Sequence, residues 1–343
     1  MTESHARTVT SMDTAARPSL SVVSPVYRAE AIVPELVRRI CRAVEPMTRD
    51  FEIVLVDDGS PDGSWNAVAM ECRKDMRVKG VRLSRNFGQH AAITAALAHA
   101  RGQHVVVMDC DLQDDPAFIP ALFAKAREGY DIVFALRRER HFAFWKNLSA
   151  RAFYAVFRWL SGVDYDARIG AYSIISRQVV EGFLRFGDYR RGYVLVLGWL
   201  GFRHGYVEVE HADRHSGESS YSVWGLLRHA LTIVLSYSDK PLFVSIYIGF
   251  LLSLLSFAVG VTVVAWYFTS NVGQMALGWT SLVVSLFFLS GLILMSQGVL
   301  GLYLGRVFEQ VKQRPIFLVQ ETQNVGTEAP SVSQPLVNLS SVG

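Results

Sequence analysis

The chain has 343 residues, a formal net charge of +3 and three widely separated cysteines. This length suits one large domain or two smaller ones. The net charge is too small to indicate a nucleic-acid-binding protein, and the cysteines match no zinc or disulfide spacing, as expected of reduced cytosolic thiols. Half of the residues are hydrophobic, which is a high fraction for a soluble protein.

Residues 1–18 carry charged side chains and no apolar segment, so they predict a disordered tail rather than a signal peptide. After them, short apolar runs alternate with segments of helical spacing, which is typical of an α/β protein with a doubly wound, mostly parallel sheet. The predicted strands are Leu20–Val26, Phe51–Asp57, Val78–Ser84, His104–Asp109 and Asp131–Leu136. The predicted helices are Glu30–Ala43, Gln89–Ala100, one after Pro116, and longer arginine-rich helices at about 141–160.

The segment from Pro241 to Gly305 contains no charged residue. A membrane-spanning helix needs about 20 apolar residues, so this segment predicts a hairpin of two transmembrane helices, at about 242–269 and 275–304. Lysine and arginine flank both ends, whereas the turn carries no charge. This asymmetry predicts a multi-pass protein of the plasma (inner) membrane with its catalytic domain and both termini in the cytoplasm.

The segments that flank the hairpin are more polar. Residues 220–240 mix apolar side chains with Arg228 and His229 and predict an amphipathic helix at the membrane surface, with a core helix as the alternative. Residues 306–320 are predicted to return to the cytosolic domain formed by residues 19–219, and residues 321–343 to form a second disordered tail.

The segment from His104 to Pro116 is the most informative motif, because four aspartates within seven residues follow an apolar run. Open α/β sheets bind ligands at the carboxyl ends of their strands. Asp109, Asp111 and Gln113 offer the hard oxygen ligands that Mg²⁺ or Mn²⁺ prefers, and they predict a metal site that holds a diphosphate. The alternative is an acidic cap for the next helix, although a cap needs only one aspartate.

Two further polar segments follow predicted strands: Pro25-Val26-Tyr27 after the first and Asp57-Asp58 after the second. Because the carboxyl ends of parallel strands meet at one edge of a sheet, we expect these residues to lie near Asp109. The ring of Tyr27 could pack on a base, and an aspartate could accept hydrogen bonds from a uracil or guanine edge. The three strand ends together predict a nucleotide-diphosphate site.

Six stretches resemble glycosyltransferase family 2, and within it the membrane-anchored polyprenyl-phosphate sugar transferases, a group that includes dolichol-phosphate and undecaprenyl-phosphate enzymes. They are SVVSPVY, FEIVLVDDGSPDGSW, LSRNFGQHAA, VVMDCDLQDDP, RHSGESSYS and LGRVFEQVKQRPIFLV, between about residues 20 and 319. The resemblance implies a GT-A fold, a nucleotide-sugar donor, a divalent metal ion and a polyprenyl phosphate acceptor in the lipid bilayer. It is also compatible with a homo-tetramer formed through the C-terminal region.

The resemblance implies a role for each matching residue. Contacts with the nucleobase and ribose are implied for Pro25, Tyr27 and Asp57 or Asp58. Metal binding is implied for Asp109, Asp111 and Gln113, with the two aspartates as the catalytic pair. Arg85 and Asn86 are implied to brace the donor pocket, and Arg214, Ser219 and Tyr221 to close over the donor. Arg137 is implied to lie near the transferring phosphates, and the basic cluster from Arg137 to Arg151 could hold the acceptor phosphate or attach to anionic lipid head groups.

Three positions depart from the family pattern. Ala29 replaces a polar residue of the first loop, and Glu30 is its nearest carboxylate substitute. Ala171 replaces an aspartate that has been proposed as a general base, for which Asp164 and Asp166 are the nearest alternatives in sequence. Ser220 replaces a lysine before the loop tyrosine.

These features predict an inverting transfer of a sugar from a nucleotide sugar, with UDP favoured, to undecaprenyl phosphate in cell-envelope glycan synthesis or modification. A phosphate monoester has a second pKa near 6 and is largely dianionic at neutral pH, whereas a sugar hydroxyl needs a base. One alternative is the extension of a lipid-linked or surface polysaccharide at a sugar hydroxyl. The other is an inactive homologue that serves as a membrane scaffold.

Overall fold

The computed structural model describes residues 18–137, 168–188, 191–209, 240–269 and 278–325. The chain divides into two compact units. The first contains the described residues up to 209 together with those from 315 onward, and the second contains those from 240 to 314. The two units are described separately below.

The first unit is built on one eight-stranded sheet. Its strands are β1 (Leu20–Val26), β2 (Phe51–Asp57), β3 (Val78–Leu83), β4 (His104–Val107), β5 (Ile132–Arg137), β6 (Ile169–Ser176), β7 (His204–Val209) and β8 (Val319–Gln323). Their order is β7-β5-β6-β4-β1-β2-β3-β8. The pairs within β4-β1-β2-β3 are parallel, as is β5 with β7, whereas β6 is antiparallel to both its neighbours and β8 is antiparallel to β3.

Helices cover both faces of this sheet. They are α1 (Val33–Val44), α2 (Ser64–Lys74), α3 (Gln89–His99), α4 (Ile119–Ala126), α5 (Arg177–Arg185) and α6 (Tyr193–Trp199). One hydrophobic core joins the sheet to α1, α2 and α4, and the other joins it to α3, α5 and α6. The sheet is therefore doubly wound and mostly parallel, as the sequence predicts, and its order reverses at β1, which lies between β2 and β4.

The central strands are apolar along their whole length because they are covered on both faces. Every residue of β1 and β2 is buried. The helix α1 instead buries one side only, through apolar residues at helical spacing such as Val33, Leu36 and Ile40. The helix α3 is rich in alanine and buried from Ala91 to His99, since small side chains allow it to lie close to the sheet.

The second unit contains two long helices, α7 (Lys240–Thr269) and α8 (Gly278–Val311). They coincide with the predicted spans at about 242–269 and 275–304, although α8 continues to Val311. Among the described residues, one helical segment, Phe288–Val311, is long and apolar enough to cross a membrane by its length and composition. The predicted arginine-rich helices at about 141–160 and all but the last residue of the predicted amphipathic helix at 220–240 lie outside the described residues.

The strand β8 corrects one predicted boundary. The sequence analysis assigns residues from 321 onward to a disordered tail, but β8 extends to Gln323 as an edge strand of the sheet. The indole N–H of Trp65 donates to Glu321 Oε2 at 3.0 Å, and the side-chain amide of Asn324 donates to the carbonyl oxygen of Cys72 at 2.6 Å. Residues 321–325 therefore belong to the sheet domain.

Candidate functional site

The carboxyl ends of β1, β2 and β4 meet at one edge of the sheet. Val26 and Asp57 are paired at the ends of β1 and β2, and the backbone N–H of Met108, just past β4, donates to the carbonyl oxygen of Val23 at 3.1 Å. The structure thus brings together the three polar segments that the sequence analysis places at this edge, and it does so at the switch point of the sheet.

The four aspartates after β4 have different environments. Asp115 accepts a hydrogen bond from the Ala117 N–H at 3.0 Å and caps the short 3₁₀ helix Pro116–Phe118. Asp114 is buried, and its Oδ2 accepts the backbone N–H of Asp109 at 3.2 Å. The capping interpretation is therefore correct for Asp115, and Asp114 stabilises the loop. The two remaining aspartates are the candidates for metal binding.

Asp109 is half-buried and Asp111 is exposed, and Leu112, directly after Asp111, turns the chain with a φ of 60°. The Asp111 carboxylate accepts the backbone N–H of Gln113 at 3.1 Å. No three His, Cys, Asp or Glu side chains form a closed metal cage in the described part of the chain. Two carboxylates with an open side fit a cation that completes its coordination with diphosphate oxygens, as Mg²⁺ commonly does.

The two aspartates after β2 are both buried, but they are bonded differently. Asp58 accepts the backbone N–H of Phe87 at 2.7 Å with one oxygen and that of Gly88 at 2.8 Å with the other. Asp57 accepts the Ser60 N–H at 3.3 Å through Oδ1. Burial raises the pKa of both carboxyl groups, against the lowering effect of these hydrogen bonds.

One oxygen of Asp57 remains unsatisfied. Its Oδ2 lies 3.8 Å from Arg82 Nε, and neither of these buried atoms has a hydrogen-bond partner among the described residues. Because a buried polar atom without a partner costs about 1–3 kcal/mol, such pairs are often retained for a ligand. Asp58 therefore holds the loop after β3, whereas Asp57 keeps one buried acceptor that faces Arg82 without a hydrogen bond.

The loop after β3, which contains Arg85 and Asn86, is fixed against the loop after β2. Gly59 has a φ of 61°, and a Cβ at this position would lie 2.4 Å from the carbonyl carbon of Arg85. Only glycine allows the two backbones to approach so closely. The Arg85 guanidinium lies 4.2 Å above the Phe87 ring.

Tyr27 and Arg28 form the exposed part of the first loop. The Tyr27 side chain is 41% exposed, and the Arg28 guanidinium lies 5.4 Å from the centre of its ring. Arg28 has a φ of 52°, which is strained for a non-glycine residue, and its N–H donates to Ser60 Oγ at 3.2 Å. Pro25 is buried within β1. The loop therefore presents an aromatic ring at the edge where a base is predicted to bind.

Glu30 contacts the loop before α2. Its Oε2 accepts the backbone N–H of Gly63 at 3.1 Å, and the neighbouring Ala29 N–H donates to Ser64 Oγ at 2.8 Å. Both interactions join the first loop to the start of α2. Glu30 thus has a hydrogen-bond partner within the fold, and its contact with the nucleotide sugar stays a prediction.

Ala171 lies in β6, the strand that pairs with β4. The antiparallel ladder ends at the pair Val107–Ser173, two residues before Asp109 and two residues after Ala171. The hydroxyl of Tyr172 donates to the Asp115 carbonyl oxygen at 2.9 Å and ties β6 to the same loop. The position at which the family pattern has a carboxylate is therefore next to Tyr172, which contacts the loop after β4.

Gln89 is a site residue that the sequence analysis did not identify. As the first residue of α3, it donates from its side-chain Nε2 to Asp109 Oδ1 at 2.6 Å. Its position directly after the RNFG stretch was the available signal. Six predicted site residues lie outside the described residues: Arg151, Asp164, Asp166, Arg214, Ser219 and Tyr221. Arg137 ends β5, where its backbone pairs with Val209.

The chain is similar to known proteins over most of its length. The family model for glycosyl transferase family 2 matches residues 21–181. The undecaprenyl-phosphate 4-deoxy-4-formamido-L-arabinose transferase of Pseudomonas aeruginosa is 36% identical over 321 residues, which are 92% of this chain and 94% of that protein. The chain belongs to glycosyltransferase family 2. This glycosyltransferase is also 36% identical to an uncharacterised glycosyltransferase of Synechocystis, over 88% of the chain and 95% of the relative.

Solved structures resemble this glycosyltransferase more loosely. The mannosyltransferase of Pyrobaculum calidifontis, in complex with GDP-mannose and Mn²⁺, covers 87% of the chain and 88% of its own, with a TM-score of 0.46 and 18% identity. The glucosyl-3-phosphoglycerate synthase of Mycobacterium tuberculosis, in complex with Mn²⁺, UDP and phosphoglyceric acid, covers 64% of this chain and 78% of its own, with a TM-score of 0.47 and 20% identity. Family membership and the mostly parallel doubly wound sheet identify the first unit as a GT-A-like fold.

Proposed function

We propose that this glycosyltransferase transfers a sugar from a UDP-sugar to undecaprenyl phosphate, with inversion at the anomeric carbon and with Mg²⁺ or Mn²⁺ as cofactor. The reaction takes place at the cytoplasmic face of the inner membrane and serves cell-envelope glycan synthesis or modification. The Pseudomonas aeruginosa relative, named for transfer to undecaprenyl phosphate, supports this acceptor because the similarity covers 92% of the chain.

The observation that carries the choice of acceptor is the alanine at position 171, in the strand β6 that pairs with β4. The family pattern has an aspartate here that could remove a proton, and this chain has none. A hydroxyl acceptor needs such a base, whereas a phosphate monoester with a second pKa near 6 is already dianionic at neutral pH. The site is therefore better suited to a phosphate nucleophile than to a sugar hydroxyl.

The donor pocket is assigned to the edge formed by the loops after β1, β2 and β3. Tyr27 would pack on the uracil, Asp57 would accept its N–H, and Asp58 would keep the surrounding loops in place. Asp109, Asp111 and Gln113 would hold the divalent cation, which when bound stabilises the negative charge that develops on the leaving UDP. The acceptor phosphate oxygen would attack the anomeric carbon from the side opposite to UDP, which inverts its configuration.

The sheet supports a membrane hairpin by a topological argument. β7 and β8 are strands of one sheet, so the chain leaves at Val209 and returns at Val319 on the same side of any membrane. The intervening chain must then cross an even number of times. α8 contains one apolar segment of sufficient length, and α7, which has no charged residue after Lys240, would supply the second crossing. Basic residues at both ends assign the sheet to the cytoplasm.

The function is tested with purified full-length protein, Mn²⁺ and a panel of UDP-, GDP- and dTDP-sugars. Each donor is offered with undecaprenyl phosphate or with an undecaprenyl-diphosphate-linked saccharide, and lipid-linked product is measured. We expect product on the bare phosphate with a UDP-sugar, and none with the Asp109→Asn variant. Product on the saccharide alone would favour polysaccharide extension, and the absence of metal-dependent nucleotide-sugar binding would favour an inactive scaffold.

The topology is tested with single cysteines in place of Asn271, in the turn, and Arg314, after α8. A membrane-impermeant thiol reagent applied to intact spheroplasts should label the first and not the second. Permeabilised cells should show labelling of both, and the parent protein gives the background from Cys41, Cys72 and Cys110. Equal labelling of both positions in intact spheroplasts would contradict the hairpin.

A further inference from the structure

The contact between Gln89 and Asp109 joins two strand ends. Gln89 begins α3, which follows β3, and Asp109 follows β4. The side-chain Nε2 of Gln89 donates to Asp109 Oδ1 at 2.6 Å. The bond contributes to fixing one oxygen of the Asp109 carboxylate.

The backbone that carries Gln89 is itself held in place. The two residues before it, Phe87 and Gly88, donate their N–H groups to the two oxygens of the buried Asp58. Gly88 has a φ of 96°, a conformation that turns the chain into α3 and that other residues rarely adopt. A continuous set of hydrogen bonds therefore runs from Asp58 through the start of α3 to the carboxylate of Asp109.

The chemistry of the donor matters as much as its position. A neutral amide orients Asp109 without cancelling its charge, so the carboxylate keeps its full attraction for a cation. A lysine ammonium at the same distance would also donate, but it would compete with a metal ion for the same carboxylate. Residues that orient metal ligands typically change metal affinity by roughly 10- to 100-fold when removed.

We propose that Gln89 is a positioning residue that orients the Asp109 carboxylate for a divalent cation. This inference rests on the metal site of the proposed function. It adds a residue on α3 to a site otherwise formed by the loop after β4. It also gives the RNFG loop a part in metal binding, because this loop sets where Gln89 lies.

The test measures Mn²⁺ binding directly, from the electron paramagnetic resonance signal of free Mn²⁺, with full-length protein and saturating UDP. Gln89→Ala should weaken Mn²⁺ binding about tenfold or more, and Gln89→Lys should weaken it further because of its charge. The matched control is Gln103→Ala, because Gln103 is an exposed glutamine before β4 that forms hydrogen bonds through its backbone N–H and carbonyl groups. Thermal melting is measured for every variant.

Unchanged Mn²⁺ affinity in Gln89→Ala, with normal binding by the parent protein, would overturn the role of Gln89 and leave the metal site intact. Failure of the parent protein to bind Mn²⁺ with UDP would instead overturn the metal site and the inference with it. The Gln89→Met variant keeps the length of the side chain but removes its N–H donor, so it separates loss of the hydrogen bond from a folding defect. If both variants lose Mn²⁺ affinity only in proportion to a lower melting temperature, Gln89 is structural and the proposal is wrong.

Discussion

Buried polar residues lie at both ends of the parallel strands, called here the amino edge and the carboxyl edge of the sheet. Only at the amino edge do all of them have hydrogen-bond partners in the described part of the chain. At the amino ends of the strands, Glu52 is 3% exposed and accepts the Ser21 hydroxyl at 2.6 Å and the Arg101 N–H at 2.5 Å. Its other oxygen pairs with Lys79, and Ser21 Oγ in turn accepts the Gly102 N–H at 2.8 Å. All the groups of this network have a partner.

At the carboxyl ends the bonding is incomplete. Asp57 Oδ2, Arg82 Nε and Ser24 Oγ are buried without a hydrogen-bond partner among the described residues. Arg28 and Leu112 adopt positive φ angles at the same edge. Unsatisfied polar groups and strained backbone each reduce stability and are retained mainly where function requires them. The comparison indicates that the amino edge stabilises the fold, and it favours the carboxyl edge as the place for the proposed ligand site.

The largest effect expected from this contrast is on catalysis at the carboxyl edge. Asp109→Asn should lower the transfer rate roughly 10³-fold, the loss typical of removing one group that stabilises charge in the transition state. The melting temperature should stay near that of the parent protein, since Asp109 is only half-buried. EDTA should reproduce the loss and Mn²⁺ should restore activity in the parent protein. Full activity in EDTA would contradict the assignment.

The matching change at the amino edge should affect stability alone. Glu52→Gln leaves Lys79 largely buried without its carboxylate, which should cost about 3 kcal/mol, or a fall of about 6–12 °C in melting temperature. The rate per folded molecule should not change. Arg101→Ala, at an exposed side chain of the same edge, is the control and should melt normally. A lower rate with unchanged melting would remove the distinction between the edges.

Ala171→Asp sharpens the comparison within the carboxyl edge. A carboxylate added at position 171 would repel an incoming phosphate, because like charges about 4 Å apart cost about 4 kcal/mol at an effective dielectric of 20. The transfer rate to undecaprenyl phosphate should therefore fall at least about tenfold, with Ala171→Asn as the uncharged control. A rate gain of about a hundredfold, as from a positioned general base, would instead identify a hydroxyl acceptor.

The smallest effect is a pH dependence of donor binding. Burial raises the pKa of Asp57 above 3.8, so this carboxylate becomes protonated at a higher pH than an exposed one. The affinity for UDP-glucose should reach its full value above that raised pKa, where Asp57 is ionised. It should fall as the pH is lowered through this pKa, by up to about tenfold per pH unit. Calorimetry at saturating Mn²⁺ measures this loss. Asp57→Asn should weaken binding at neutral pH and lack this dependence; identical curves for both proteins would contradict it.

The raised pKa of Asp57 makes the stability of the folded state change with pH in the direction opposite to that of donor binding. The folded state binds the Asp57 proton more tightly than the unfolded state does, so this group contributes most stability below 3.8 and loses it as the pH rises through the folded pKa. Ligand binding and folding therefore make opposite demands on one side chain, as expected of the edge that is not optimised for stability.

The sequence predicts β1 to β5 and misses β6, β7 and β8, although Tyr172 to Ile175 of β6 are buried. β1 and β2 were predicted with their observed bounds because all their residues are apolar or enclosed. β7 alternates buried and exposed positions, and β8, with the sequence VQETQ, is exposed over most of its length. An edge strand held by backbone bonds and by Trp65 leaves no hydrophobic pattern to recognise.

The candidate site shows the same division. The aspartates after β2 and β4 could be predicted because their residue types suit the chemistry and strand ends converge. The separate roles of Asp57 and Asp58 could not, since they depend on which backbone N–H groups lie within reach. The contact of Gln89 with Asp109 depends on the turn at Gly88, which brings residues twenty positions apart together.

The position of β8 also sets an order for biosynthesis. The ribosome must synthesise both long helices before it reaches Val319, so β3 has an open edge while those helices emerge. At about 5–20 residues per second, this interval lasts on the order of 10 s. An open strand edge is a site for pairing with other chains, and a fragment that ends at Val209 would keep it permanently. A soluble form of this enzyme should therefore retain β8, joined to β7 by a linker long enough to cross the sheet, because β7 and β8 are its two outermost strands, about 34 Å apart at about 4.8 Å per strand.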